Sequence, residues 1–366
     1  MCRERAPMRG KALWMYKRKD MKILITGASG FIGSFLVEEG LARQMQVWAG
    51  MRRTSSRKYL KDSRIRFVEL DFGNPDALRA QLERCKREFG GWDYIVHAAG
   101  ATKCRRPEDF FRTNTQGTVN FVEALRALDM VPRRFVFVSS LSVYGAVREQ
   151  PVRRPDASSP WVYAPIREDD RPQPNTAYGQ SKLRAEHYLQ QLPAGFPYVI
   201  LRPTGVYGPR EKDYFLMAKS IRQHVDFLAG YRPQEITFIY VKDLVQAVFR
   251  ALEADVVGRA FFLSDGGVYG SIRFSELIRQ ELGRPWVLRI KAPLWFLRAV
   301  CRVSGTVNGW LGRTSTLNTD KYHILSQRNW QCDIEPARCE LGYVPEYSLE
   351  RGVRETVAWY CKEGWL

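Results

Sequence analysis

Short apolar runs rich in β-branched and aromatic residues alternate along the chain with segments whose apolar residues recur at helical spacing. The runs are Lys22 to Thr26, Gln46 to Met51, Ile65 to Leu70, Tyr94 to Ala98, Arg134 to Ser139 and Tyr198 to Arg202. Phe31 to Val37 opens a helical pattern after the first run, and Asn114 to Leu128 and Ala177 to Gln191 lie between the last pairs. Such alternation predicts an α/β fold with a parallel, doubly wound sheet. Ligands of that sheet belong beyond the carboxyl ends of its strands. Phe238 to Val241 and Ala260 to Leu263 read as later strands returning to it.

Two stretches break the rhythm. Val147 to Asn175 carries Pro151, Pro155, Pro160, Pro165, Pro172 and Pro174 among many charges, and reads as a long lid-like loop. After Pro203 the pattern loosens into mixed short elements, the signature of a smaller second lobe. The expected organisation is a basic extension over 1–20, a nucleotide-binding domain over 21–202 with 236–263, and a substrate-binding lobe over 203–235 with 264–366. A chain of 366 residues has room for both.

Charge changes the picture only modestly. The chain has a formal net charge of +18, and residues 1 to 20 alone carry seven Lys/Arg against Glu4 and Asp20. That segment lacks the apolar core of a secretory signal. No nucleic-acid-binding motif accompanies the basic surface, so nucleic acid is not expected as a partner. No apolar run reaches transmembrane length. The seven cysteines are odd in number and form no C-x-x-C pair, a reduced, cytoplasmic pattern with no metal site.

The chemistry begins at Thr26-Gly27-Ala28-Ser29-Gly30-Phe31-Ile32-Gly33, between the first strand and the first helix. A strand, a glycine turn and a helix aim main-chain N–H groups and the positive helix end at a pyrophosphate. Gly27 suits the turn, Gly30 a close phosphate approach, and Gly33 tight packing of helix on strand. Ser29, Phe31 and Ile32 complete that turn. Far along the chain, Tyr178 and Lys182 stand four apart on a predicted helix, so both side chains leave one face. A nearby ammonium stabilises a phenolate, which makes Tyr178 a candidate acid or base near neutrality.

Together with L-D-F (70–72), H-A-A-G (97–100), Asn114, V-S-S-L-S-V-Y-G (138–145), Y-G-Q-S-K (178–182), L-R-P-T-G-V-Y-G-P (201–209) and Y-V-K-D-L (240–244), these pieces resemble the extended short-chain dehydrogenase/reductase family, NAD-dependent epimerases and dehydratases included. The resemblance covers nearly the whole chain after Met21. It implies a Rossmann sheet with a smaller C-terminal substrate lobe. It also implies that Ser140 hydrogen-bonds the reacting oxygen, with Ser142 the nearby competitor, that Tyr178 transfers the proton, and that Lys182 holds the nicotinamide ribose. By the same resemblance Asp71 and Phe72 border the adenine, Ala98, Ala99, Gly100 and Asn114 line the cofactor path, and Pro203 and Val206 lie near the nicotinamide.

An NAD site usually places an acid after the second strand, where it accepts from the ribose hydroxyls and repels a 2′-phosphate. Here Met51 is followed by Arg52 and Arg53, with Ser55 and Arg57 beyond, a set suited to phosphate. The expected cofactor is NADP, with NAD as the alternative. The family's 4,6-dehydratases usually carry an Asp-Glu pair where this chain has Leu141-Ser142, which argues against dehydration. Its nucleotide-sugar epimerases commonly place a diphosphate-binding arginine where this chain has Ile236, although Arg210 or Arg222 could supply that contact. The remaining features look more like the dihydroflavonol reductase and 3β-hydroxysteroid dehydrogenase branch. The expected activity is therefore NADP-dependent interconversion of a ketone and a secondary alcohol on a hydrophobic small molecule, with a nucleotide-sugar epimerase or reductase as the alternative. Trp286 to Val303 interleaves aromatic and basic residues, which offers an apolar substrate wall or a peripheral membrane contact. A homodimer is a further expectation.

Overall fold

The computed structural model describes residues 20–153, 161–193, 195–310 and 318–366; the basic extension, but for Asp20, lies outside them. The strands used below are β1 (Lys22–Thr26), β2 (Gln46–Met51), β3 (Arg66–Glu69), β4 (Tyr94–His97), β5 (Arg134–Val138), β6 (Tyr198–Pro203), β7 (Gly205–Tyr207), β8 (Val225–Ala229), β9 (Phe238–Tyr240), β10 (Arg259–Leu263) and β11 (Leu288–Ala292). Seven of them form one sheet in the order β10-β6-β5-β4-β1-β2-β3. Every pairing in it is parallel.

The helices used below are α1 (Phe31–Ala42), α2 (Pro75–Phe89), α3 (Gly117–Ala127), α4 (Ala177–Gln190), α5 (Asp213–Arg222), α6 (Val241–Glu253), α7 (Arg273–Glu281), α8 (Leu294–Trp310), α9 (Thr319–Ser326), α10 (Glu335–Leu341) and α11 (Leu349–Lys362). Side chains alternate across the sheet. Ile23, Ile25, Val47, Val96 and Val136 pack with Leu36 and Val37 of α1 and Leu244 and Val248 of α6. Leu24, Trp48, Ile95 and Phe135 pack with Leu82 of α2, Phe121 of α3 and Leu189 of α4. Burial on both faces explains why these strands read as continuous apolar runs.

Three expectations are corrected. Phe238–Tyr240 does not return to the main sheet; it pairs with Gly205–Tyr207 in a separate ribbon. Its aromatics enter a third core with Tyr207, Phe274 and Val353. The segment expected as one helix from Asn114 begins as a π-helical turn, Phe111–Gln116, before α3. The described parts of the lid-like loop are fastened down: Arg148 pairs with Asp170 at 2.6 Å, and the Glu149 carboxylate accepts from the backbone N–H groups of Arg328 and Asn329 at 3.1 and 3.0 Å. Cys85, Cys104, Cys301, Cys332 and Cys361 are free thiols.

Candidate active site

Because the seven strands run in one direction, their carboxyl ends gather at one edge. There the structure brings together the β1–α1 turn, Arg52 and Arg53 after β2, Asp71 and Phe72 after β3, Ala98 to Gly100 after β4, Ser140 after β5, and Pro203 at the end of β6. Tyr178 and Lys182 reach the same edge from α4.

The glycine turn is dictated by sterics. Gly27 has φ +67°, and a Cβ there would stand 2.7 Å from the Ala98 carbonyl oxygen. A Cβ at Gly33 would stand 2.1 Å from the Gly27 carbonyl oxygen, so only glycine lets α1 lie this close to β1. Gly30 is the N-cap of α1 and is exposed, with no side chain capping the helix. The first turn therefore keeps main-chain donors for an anion. Ser29, Phe31 and Ile32 are half-buried around it. This cradle fits a dinucleotide pyrophosphate.

Beneath the cradle a buried polar chain ties two strand ends to the helices. Thr26 Oγ1 lies 2.8 Å from His97 Nδ1, and His97 Nε2 lies 3.1 Å from Thr118 Oγ1. Thr118 donates to the Asn114 carbonyl at 2.7 Å, while the Asn114 amide pairs with both backbone groups of Ala101 and donates to Ser181 Oγ at 3.0 Å. Burial, reinforced by the Lys182 charge, pulls the His97 pKa down to about 3, so its imidazole is neutral.

Thr176 caps α4 by accepting from the Gly179 N–H at 3.0 Å, which places Tyr178 and Lys182 in its first two turns. Ser140 accepts from the Ser142 N–H at 3.1 Å, and its side chain works against the rise of the Tyr178 pKa. Lys182 is buried, donates to the Val138 carbonyl at 2.8 Å, and has its ammonium 4.5 Å from the centre of the Phe137 ring. Burial pushes Tyr178 up to about 12 against the opposing Ser140 hydrogen bond, and burial pulls Lys182 down to about 8 against the pull of Glu186. A lowered tyrosine pKa is thus not seen. Desolvation dominates, and the Lys182 ammonium, engaged with Val138, does not offset it.

Of the outer set, Asn114 and Gly100 border this centre, since a Cβ on Gly100 would meet Asn114 Oδ1 at 3.1 Å and Lys182 Nζ at 3.3 Å, while Pro203 ends β6 opposite Leu263. Asp71 is exposed and its carboxylate accepts from the Gly73 N–H at 3.1 Å. Phe72 packs edge-on against His97 and Phe121, with ring centres 5.4 and 5.1 Å apart. Val206, in β7, packs against both the sheet core and the lobe core. Arg52 and Arg53 are exposed, and among the described residues neither guanidinium has a partner. Arg57 stacks over Phe67, 4.0 Å from the ring centre.

Several residues of the site escaped the sequence reading. Glu186 and Arg202 form a fully buried ion pair at 2.6 Å, and Ser139 donates to the same carboxylate. Glu186 lies one turn beyond Lys182, so helical spacing held the only signal. Asp320, at the start of α9, accepts from the backbone N–H groups of Ala177 and Tyr178 at 3.2 and 3.3 Å, fastening the lobe to the helix that carries Tyr178. Arg210, one rescue candidate for a diphosphate, is committed elsewhere: it bonds Glu38 at 2.6 Å and Ser34 at 2.9 Å and stacks on Phe35 and Tyr59. Arg222 is exposed at the end of α5. In the lobe, a cavity of about 600 Å³ is lined by Gly230, Tyr231, Gln234, Leu294, Trp295 and Arg328, among others. Among the described residues no cluster of His, Cys, Asp and Glu could hold a metal ion.

Comparison with known proteins places these observations. Residues 23–263 match the NAD dependent epimerase/dehydratase family. The chain is 26% identical to UDP-glucose 4-epimerase of Vibrio cholerae over 93% of its own length and 95% of that protein. It is 24% identical to ceramide reductase of Caulobacter vibrioides over 94% of its length and 96% of that protein. Its fold overlays the structure of a dTDP-glucose 4,6-dehydratase from Bacillus anthracis in complex with NAD, with a TM-score of 0.71 at 21% identity, covering 94% of this chain and 98% of the other.

Proposed function

The chain belongs to the NAD dependent epimerase/dehydratase family, whose members are NAD(P)-dependent enzymes, and within it we propose that this protein is an NADP-dependent oxidoreductase interconverting a ketone and a secondary alcohol on a hydrophobic small molecule. The observation that carries the reading is the convergence of Ser140 and Tyr178 at the carboxyl edge of the sheet, with Lys182 one turn further along α4. The bound nicotinamide supplies or accepts the hydride. Ser140 and Tyr178 hydrogen-bond the carbonyl oxygen, and Tyr178 delivers its phenolic proton to that oxygen as it becomes an alkoxide. Raised by burial, the phenol stays protonated through neutrality, as a donor in the reductive direction requires. Lys182 is held ready for the nicotinamide ribose by Val138, and the α1 turn for the pyrophosphate.

The free guanidinium groups of Arg52 and Arg53 support NADP over NAD, because a 2′-phosphate set there finds two unspent cations and no carboxylate. Apolar substrates are supported by what the lobe lacks and what it offers. Ile236 brings no charge to the diphosphate position, Arg210 is spent on Glu38, and the lobe cavity sets the rings and aliphatic groups of Tyr231, Leu294 and Trp295 beside Arg232 and Arg328. Stripping water from an unpaired diphosphate costs at least several kcal/mol, whereas burying an apolar ring gains about 25 cal/mol per Å². Likeness to the dihydroflavonol reductase and 3β-hydroxysteroid dehydrogenase branch fits this reading, as does the likeness to ceramide reductase. A homodimer, a cytoplasmic location, peripheral membrane contact through 286–303, and division into a nucleotide-binding domain and a substrate lobe belong to the same proposal.

Calorimetric titration of the NADP-loaded protein tests the substrate class. Saturable heats are expected from apolar ketones and none from nucleotide sugars in the micromolar range. Micromolar nucleotide-sugar binding, abolished by Arg222→Ala, would establish the epimerase reading instead.

A further inference from the structure

Strands β8 and β11 form a two-stranded parallel ribbon in which Asp226 pairs with Arg289, and Phe227 with Ile290. Its polarity is inverted relative to an ordinary surface ribbon. The face toward α7 carries Asp226, 3% exposed, bonded to Arg289 at 3.0 Å and to Ser275 at 3.1 Å. The outward face carries Phe227, 63% exposed, beside Leu288 and Ile290. A one-residue slip would bury the apolar set, so the ion pair holds the hydrophobic face outward. Trp286, 70% exposed and stacked on His224, extends this face at one end, and Trp295 and Phe296 of α8 extend it at the other. Among the described residues, every strongly exposed Trp, Tyr or Phe belongs to β8, to Tyr231 just after it, or to the segment from Trp286 to Phe296. Scattered exposure is ordinary; this concentration is not.

Charge names the occupant. From Leu282 to Thr319 the chain contains six Lys/Arg and no Asp or Glu. Arg284 and Arg298 are exposed, while Arg289 and Lys291 alternate with Ile290 and so lie on the face toward α7. Aromatic side chains with Arg284 and Arg298 beside them, and the ribbon's carboxylate, Asp226, turned inward onto Arg289, match the apolar-to-anionic gradient of a phospholipid surface. A second copy fits poorly, because an isologous contact would set these cations against themselves.

We propose that the outer face of β8 and β11, continued by the first turns of α8, docks on an anionic lipid bilayer. The docked area goes beyond residues 286–303 and shares Tyr231 and Trp295 with the lobe cavity, which then opens toward the membrane. The enzyme draws its substrate from the lipid phase, an extension that rests on the apolar-substrate reading. Among the described residues no helix is long and apolar enough to cross a membrane.

Flotation of the full chain with vesicles tests this. Phosphatidylcholine vesicles containing phosphatidylglycerol should retain the protein, and neutral phosphatidylcholine vesicles should retain at least about tenfold less. High salt should release it. A variant with Leu288→Ser, Ile290→Ser and Phe296→Ser keeps residues 1–20 and every cation, and should lose about tenfold or more of its vesicle affinity. Equal binding by parent and variant overturns the proposal. So does a parent that ignores anionic vesicles but forms a dimer which the variant abolishes. NADPH consumption on a detergent-dispersed ketone probes the proposed activity separately, so each reading can fail without the other.

Discussion

The cofactor edge of the sheet and the lobe that faces it recognise their ligands with different parts of the chain. At the edge the main chain does the work: Gly27 and Gly33 are fixed by contacts a single Cβ would violate, and the first turn of α1 offers backbone donors. In the proposed reading the lobe recognises its substrate with side chains, with Tyr231, Leu294 and Trp295 around the cavity and no cation at Ile236. Backbone sterics admit few solutions, so the edge can be specified by a short motif. Side-chain walls admit many, so the lobe is where one fold changes substrate.

The largest effect that separates the two regions is expected from Lys182→Ala. It removes the cation beside the reacting centre and the proposed ribose contact, so turnover should fall by about 10²–10⁴-fold and NADPH affinity should fall with it. Loss of turnover with cofactor affinity untouched would confine Lys182 to the substrate side. Next, Gly33→Ala drives a Cβ into the Gly27 carbonyl; a stability loss of about 1–3 kcal/mol is expected, read by denaturant titration together with weakened NADPH binding. An unaltered cradle would contradict the steric account.

Smaller is the cofactor switch. Arg52→Asp should cost NADPH about 1.5–3 kcal/mol in fluorescence titration while leaving NADH nearly unchanged, since only the 2′-phosphate is at stake. Equal parental affinities for the two cofactors would remove the basis of the NADP assignment. Per pH unit, the smallest effect is on acid stability. His97 is held neutral with its pKa lowered to about 3, so below its ordinary pKa near 6.5 the unfolded chain binds the extra proton. Its share of stability is complete above that pH and falls by up to about 1.4 kcal/mol per unit as pH drops from 6.5 toward 3. Denaturant melts across this range should be shallower for His97→Gln than for the parent, whatever the variant's starting stability.

The difference between the regions also explains what could be read in advance. Strands β1, β2, β4, β5 and β6 were visible as apolar runs because both faces of the sheet are covered. The glycine turn, Ser140, Tyr178 and Lys182 lay in contiguous segments with fixed spacing. Phe238–Tyr240 was less legible: three residues of strand carry too little pattern to say which sheet or ribbon they join. The Thr26–His97–Thr118–Asn114 chain and the Asp320 contact to α4 link residues far apart in sequence, so no local pattern announces them. The π-helical turn before α3 arises from tertiary fit, with Asn114 turned inward onto Ala101 and Ser181.

The central claim, that Tyr178 is the proton donor of an NADPH-dependent ketone reduction, is tested most directly by NADPH consumption with an apolar ketone in the parent and in Tyr178→Phe. Phenylalanine keeps the ring and its packing against Phe110, 6.1 Å away, and removes only the transferable proton. Turnover should drop by about 10²–10⁴-fold with NADPH affinity unchanged; a Tyr178→Phe enzyme that consumes NADPH at the parent's rate would contradict the account.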